Sequence, residues 1–437
     1  MPTPVVPVPG GGVVTSQSPP LSVPLRYMLL GILCFGFFAI DFAIQTPMLA
    51  RGVPGAPNIV ALTHILTLGA LLSFVMGAVY QLTTVAFLIP ISSVPVARWN
   101  FWLYFVSFIG LFISMSKWWS VGFLIFGFSM VIAIYLYATV LIVSVARSKI
   151  RGPMQGFVIS AHSYLILAVS VAVLLVLVDS GTLLTLDPLM NELIATHILL
   201  AVGGFFTFLV MGFSLKLLPM FTLSHGFPTW RQKWTLALAH IAIWALLAGI
   251  WTHISVFFWM GGVVGITAFV SQILDMQGII KKRMRKKVEP PMRGVVVAAI
   301  DGVLGLCLLL VRILWPLGQA GWQEVVMFYL MGVVTLSVMG FAYKIVPFLI
   351  WTKRYSKPTG KGKPVLISDL INLNHTTPVL IGFGVGLIVL TASAVATWMP
   401  GVVGGCILIA LAMMVFALQM LRVMELSKLG KELSARD

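Results

Sequence analysis

The chain has 437 residues, of which 59% are hydrophobic and only 9% charged. Soluble domains carry about 25% charged residues, so this composition argues against a soluble fold and supplies enough apolar chain for about a dozen helices of about 20 residues each. The formal charge of +16 is an excess of Lys and Arg; in a chain this apolar it marks cytoplasmic loops, not a nucleic-acid partner.

Residues 1–25 are rich in Pro, Gly, Ser and Val, lack the basic start of a signal peptide, and read as a disordered cytoplasmic tail. Apolar stretches follow near 27–47, 59–82, 101–117, 120–146, 155–178, 189–218, 235–253, 256–279, 295–316, 323–350, 376–398 and 401–423. They are long and continuous, without alternating polarity, which indicates helices and not a barrel. The third is short, and Lys117-Trp118-Trp119 marks its interfacial end. The expected fold class is therefore an all-α polytopic membrane protein with about 12 transmembrane helices in one domain over 26–424. Cytoplasmic basic loops fall at 281–293 and 351–374, and a cytoplasmic tail at 425–437. Cys34, Cys307 and Cys406 lie in apolar runs without CxxC spacing, so no disulfide framework or zinc motif is visible.

With the N-terminus inside, the even-numbered connections are cytoplasmic and all basic residues except Arg51, Lys117 and Arg312 lie on the inner side. That asymmetry predicts N-in and C-in. The run at 281–287 reads as a topology determinant, with anionic-lipid binding as the alternative.

One pattern recurs on spans 2, 6 and 10: THILTLGALLSFVMGAVYQL from Thr63, THILLAVGGFFTFLVMGFSLKLLPMF from Thr196, and YLMGVVTLSVMGFAYKIVPFLIW from Tyr329. The Met-Gly pairs at 76–77, 211–212 and 339–340 are separated by four helices each time. The spacing predicts three four-helix arcs related by a pseudo-threefold axis, with small residues letting spans 2, 6 and 10 approach their neighbours closely. Gln81, Lys216 and Lys344 follow these glycines by four residues, and the lysines can snorkel to the inner interface.

Twelve helices in three arcs, with a histidine high on span 2, resemble subunit I of the heme-copper oxidase superfamily. The phrases HILTLGALLSFVMGAVYQL, MGFSLKLLPMF and GFAYKIVPFLIW are similar to its divergent relatives, the oxidase-like membrane proteins and the NnrS-type proteins of the nitric oxide response. The resemblance implies heme b held between helices, copper as a further cofactor, and chemistry of oxygen or nitric oxide. The chain departs from the oxidases in two places. Span 10 has no histidine where they carry a closely spaced pair, and span 7 has only the separated His240 and His253 in place of adjacent copper ligands. A full proton-pumping oxidase is not expected.

Candidate ligands lie at one depth, toward the outer side: His64 on span 2, His197 on span 6 and His253 at the end of span 7. Neutral imidazole suits both heme iron and copper. Met327 stands thirteen residues before Gly340, as His64 stands thirteen before Gly77, and is a candidate axial ligand with packing as the alternative. Arg312, near the outer end of span 9, needs an acidic partner: a heme propionate, with Arg51 assisting, or Asp41 of span 1. His162 and His240 read as interhelical hydrogen-bonding residues, with a second site as the alternative. Asp301 and Asp275 are placed toward the inner ends of spans 9 and 8, where Lys344 or Lys216 or interfacial water can meet them.

These residues lead to a heme-binding protein of the bilayer, multi-pass in a prokaryotic cytoplasmic membrane. It would bind or transform a diatomic gas, or pass electrons between a quinone and an external electron carrier. The alternatives are a secondary transporter and a cofactor-free scaffold subunit with an oxidase-like shape.

Overall fold

The structure is a computed structural model that describes residues 17–51, 55–284, 289–314, 320–355 and 365–425, with backbone alone at 306, 310–314 and 320–323. The described residues are all-helical, and twelve helices are long and apolar enough to cross a membrane. Spans 1 to 6 are Ser22–Ile44, Pro57–Phe87, Val94–Lys117, Ser120–Ala146, Pro153–Asp179 and Leu184–Thr222. Spans 7 to 12 are Trp230–Thr252, Ser255–Lys281, Pro290–Leu309, Glu324–Arg354, Leu373–Val395 and Met399–Met424. The helix of span 9 continues to Leu314. Span 1 starts at Ser22, inside the expected tail, of which residues 1–16 lie outside the described residues; so do 285–288, 356–364 and 426–437 of the expected cytoplasmic segments.

Span 3 is not short. Ser93 accepts from the Val96 N–H and Pro95 occupies the first turn, so the helix starts at Val94. Asn100, which broke the apolar run, is buried, and its amide donates to the Ala133 carbonyl of span 4 at 3.0 Å.

Spans 2, 6 and 10 are the most enclosed, with 67%, 67% and 78% of their apolar windows buried against 28–56% in the other nine. The outer spans expose large apolar side chains such as Trp99, Ile109, Val263 and Leu411. A surface of that kind is stable against lipid and not against water.

Each of the three enclosed spans contains a π-helical segment: Ile65–Leu72, Leu199–Phe206 and Leu330–Thr335. A π turn holds one residue more than an α turn and loosens the hydrogen-bond ladder. A hydroxyl adds a side-chain donor in each case. Ser73 donates to the Leu68 carbonyl at 3.1 Å, Thr207 to Val202 at 2.8 Å and Thr335 to Leu330 at 3.0 Å, all five residues back.

Glycine pairs set the packing against the preceding span. Gly69 and Gly77, Gly204 and Gly212, and Gly332 and Gly340 share one spacing. A Cβ on Gly77 would lie 2.4 Å from the Pro24 carbonyl oxygen, one on Gly212 2.7 Å from Phe157 Cβ, and one on Gly340 3.2 Å from the Pro291 carbonyl oxygen. The upper glycines face Cys34, Tyr164 and Asp301 in the same way, with gaps of 3.0, 2.7 and 2.9 Å to the nearest atom of each.

Spans 3, 7 and 11 turn sharply into spans 4, 8 and 12 through Trp118, His253 and Thr397, all left-handed with φ of 49°, 55° and 53°. At the first and third of these turns Ser114-Trp119-Gly122 and Ser393-Trp398-Gly401 share spacing and contacts, the glycine lying under the serine and tryptophan side chains.

Two ion pairs tie neighbouring spans together. Arg231 Nε donates to Asp275 Oδ1 at 3.1 Å, and Lys344 Nζ donates to Glu289 Oε2. The expected pairing of Asp275 or Asp301 with a lysine is therefore corrected. Asp275 is served by the arginine that opens span 7, and Glu289, just ahead of span 9, takes Lys344. Asp301 is not at the inner end but in the middle of its helix.

Candidate metal-binding site

Span 2 begins as an α-helix over Pro57–His64 and span 6 has its counterpart over Met190–Ile198, each running directly into a π segment. His64 and His197 thus stand just before the two places where the ladder widens. Their rings face each other between the spans, with centroids 6.5 Å apart and planes within 20°. Both are half-buried.

Each ring is tied back by one nitrogen. His64 Nδ1 lies 2.8 Å from the Val60 carbonyl, and His197 Nδ1 lies 2.9 Å from the Ala168 carbonyl of span 5. A carbonyl only accepts, so Nδ1 carries the proton in both rings, and in the neutral imidazole the lone pair sits on Nε2. Metal-binding histidines are oriented by second contacts of this type. With metal–nitrogen bonds of about 2 Å and each ring centre about 1 Å behind its donor, two imidazoles on one metal hold their centres about 6 Å apart. The observed separation fits that arrangement.

The other histidines are occupied or remote. His162 is fully buried, its Nδ1 donating to Val158 at 2.7 Å and its Nε2 meeting the Tyr137 hydroxyl at 3.1 Å. His240 joins span 7 to span 5, with Ser160 at 3.0 Å and Tyr164 at 2.7 Å on its two nitrogens. His253 is directed elsewhere. It caps span 7, its side chain is 72% exposed, and its Nε2 lies 3.3 Å from Glu192 Oε1. Among the described residues no three His, Cys, Asp or Glu side chains converge as a metal group.

Met327 lies three residues ahead of the π segment of span 10, half-buried against the core. Arg51 is exposed and, with Thr46, Met399 and Val403, lines a cavity of about 500 Å³. Asp41 accepts from the Gln45 amide at 3.2 Å. The Arg312 side chain lies outside the described residues.

Sequence reasoning found both facing histidines but not the π segments beside them. The available signal is a second glycine eight residues before the glycine of each Met-Gly pair, with a Ser or Thr between. Compared with protein-family models and with curated proteins, the chain matches none.

Proposed function

We propose that this chain is a heme-binding membrane protein built like subunit I of the heme-copper oxidase superfamily and acting in electron transfer. The opposed pair of His64 and His197, at 6.5 Å with both Nδ1 atoms tied to carbonyls, carries the reading. These two residues would hold heme b between spans 2 and 6. Bound heme supplies one-electron chemistry there. With the free nitrogen of both histidines given to the same group, passage of electrons between a quinone and an external carrier is favoured over gas chemistry. Met327 then belongs to the pocket wall, and Arg51 and Arg312 serve as propionate partners. The chain's own work is to fix the tautomer of each ring through Val60 and Ala168 and to keep water from the site with enclosed spans. A copper ion held by the same two nitrogens is the second use of this donor set.

In the same proposal the twelve spans form three four-helix arcs about a pseudo-threefold axis among spans 2, 6 and 10. The π segments of spans 2, 6 and 10, the matched glycine pairs and the left-handed turns after spans 3, 7 and 11 support it. The basic residues support N-in and C-in in a prokaryotic cytoplasmic membrane.

The test is an absorption spectrum of purified protein, oxidised and dithionite-reduced, with a pyridine hemochrome assay. One heme b per chain is expected, unchanged by carbon monoxide, with heme lost in His64→Ala and in His197→Ala. Protein without a Soret band from a heme-replete host overturns the reading; metal analysis then decides for copper, and absence of both leaves a transporter or scaffold.

A further inference from the structure

Asp301 occupies the twelfth position of the 25-residue helix Pro290–Leu314 and is 1% exposed. Its Oδ2 has no hydrogen-bond partner. The carboxyl fills a slot left by two missing side chains: Oδ2 lies 3.3 Å from where a Cβ would stand on Gly332 of span 10, and 3.3 Å from the same point on Gly384 of span 11. Leu387 and Val297 form the apolar walls, 3.0 Å and 2.9 Å from those two points.

Ionisable groups on the elements packed around it are engaged elsewhere or distant along their helices. On span 10 the Tyr329 hydroxyl lies 2.9 Å from Thr207, Tyr343 donates to Gln419 at 2.6 Å and Lys344 to Glu289. On span 9 Arg293 reaches Thr377 at 3.5 Å and Cys307 is exposed. On span 8 Asp275 pairs with Arg231. The helix Thr376–Val395 carries no ionisable residue. Glu324 is about 12 Å along its helix from Gly332, His375 about 13 Å from Gly384, and Arg312 about 16 Å from Asp301 itself.

Packing does not call for an acid here. Cys34 and Tyr164 occupy the matching places, ten residues after Pro24 and Met154 as Asp301 is after Pro291, and face Gly69 and Gly204 as Asp301 faces Gly332. A carboxylate with neither counter-ion nor donor is strongly disfavoured inside a membrane, whereas the neutral acid is tolerated. The π segment Leu330–Thr335 runs past the carboxyl, and a loosened ladder leaves carbonyls able to accept from a side chain.

We infer that Asp301 is a proton-binding site in the membrane interior, its ligand a proton held as the un-ionised acid at neutral pH. The site stands apart from the His64–His197 pair and does not depend on the heme reading. It gives the chain one place, away from either aqueous face, at which a proton is taken up or released.

Infrared difference spectra of the full-length chain against Asp301→Asn, at neutral pH in water and deuterium oxide, test this. The expected result is one carbonyl stretch of an un-ionised carboxylic acid, shifted by deuteration and lost in the variant. Carboxylate bands in its place overturn the proposal. Should Asp301→Asn fail to assemble, Gly384→Ala serves instead, because its Cβ crowds Oδ2 without changing the acid. A shifted acid band is then expected, and movement of carboxylate bands alone overturns the assignment.

Discussion

The phenol of Tyr104 on span 3 donates to the Leu68 carbonyl of span 2 at 2.7 Å, and Ser73 donates to the same oxygen at 3.1 Å. The Ser73 backbone N–H also reaches this carbonyl in the π turn, so it is held by two donors within its own helix and one from a neighbour. Tyr104→Phe removes one donor from an oxygen still satisfied by the others, and a loss of about 1 kcal/mol is expected. Adding Ser73→Ala leaves that oxygen only the Ser73 backbone N–H, so the double variant is expected to lose about 0.5–1 kcal/mol more than the two single losses together. Thermal unfolding in detergent of both single variants and the double reads this coupling; simple additivity rejects the double capture.

His253 shows why depth in the membrane is a weaker guide than direction. Its backbone is left-handed, a conformation in which glycine is at ease and β-branched side chains are not. His253→Gly is expected to change stability by no more than about 1 kcal/mol and His253→Val to lower it by about 1–2 kcal/mol. Neither is expected to alter heme content, since the ring points to Glu192 and not between spans 2 and 6. A hemochrome assay on His253→Gly that showed heme loss would return His253 to the ligand set.

Gly404 and Gly405 are neighbours on span 12 with opposite surroundings. A Cβ on Gly404 meets nothing within 4 Å, while one on Gly405 lies 2.6 Å from the Leu390 backbone nitrogen and 2.7 Å from its Cα. Gly404→Ala gains helix propensity and is expected to stabilise by about 0.5–1 kcal/mol. Gly405→Ala has to push spans 11 and 12 apart and is expected to cost several times that gain. Melting temperatures of the two variants, measured side by side, should move in opposite directions.

What the sequence could and could not reveal follows from the range of each interaction. The twelve spans are a matter of apolar length, and the Met-Gly repeat marks the three most enclosed helices, so both are legible. His64 and His197 were legible because both sit in a THIL tetrad ahead of that repeat. Partners contributed by other helices were not. Nothing near Lys344 in sequence points to Glu289, and nothing near Asp275 points to Arg231, so their pairing was misassigned. Span 3 was cut short because Asn100 reads as polar until the Ala133 carbonyl on span 4 is seen to satisfy it. A π turn depends on how side chains crowd the ladder in three dimensions, and it left only glycine and hydroxyl spacing as a trace.

The Arg231–Asp275 pair offers the last contrast. Asp275 is 2% exposed, its Oδ1 is held by Arg231 Nε at 3.1 Å, and its Oδ2 has no hydrogen-bond partner, so the carboxylate relies on one guanidinium. Arg231 also reaches the Leu274 carbonyl at 3.3 Å, tying the start of span 7 to span 8. Arg231→Met strands a buried charge and is expected to cost about 3–5 kcal/mol. Adding Asp275→Asn removes the charge that made the first change expensive, and the double variant is expected to recover a large part of the loss. Urea unfolding in detergent of Arg231→Met, Asp275→Asn and the pair together measures the coupling. If the double variant is no more stable than Arg231→Met alone, the arginine matters through its contact with Leu274 and its packing, not through the charge it neutralises.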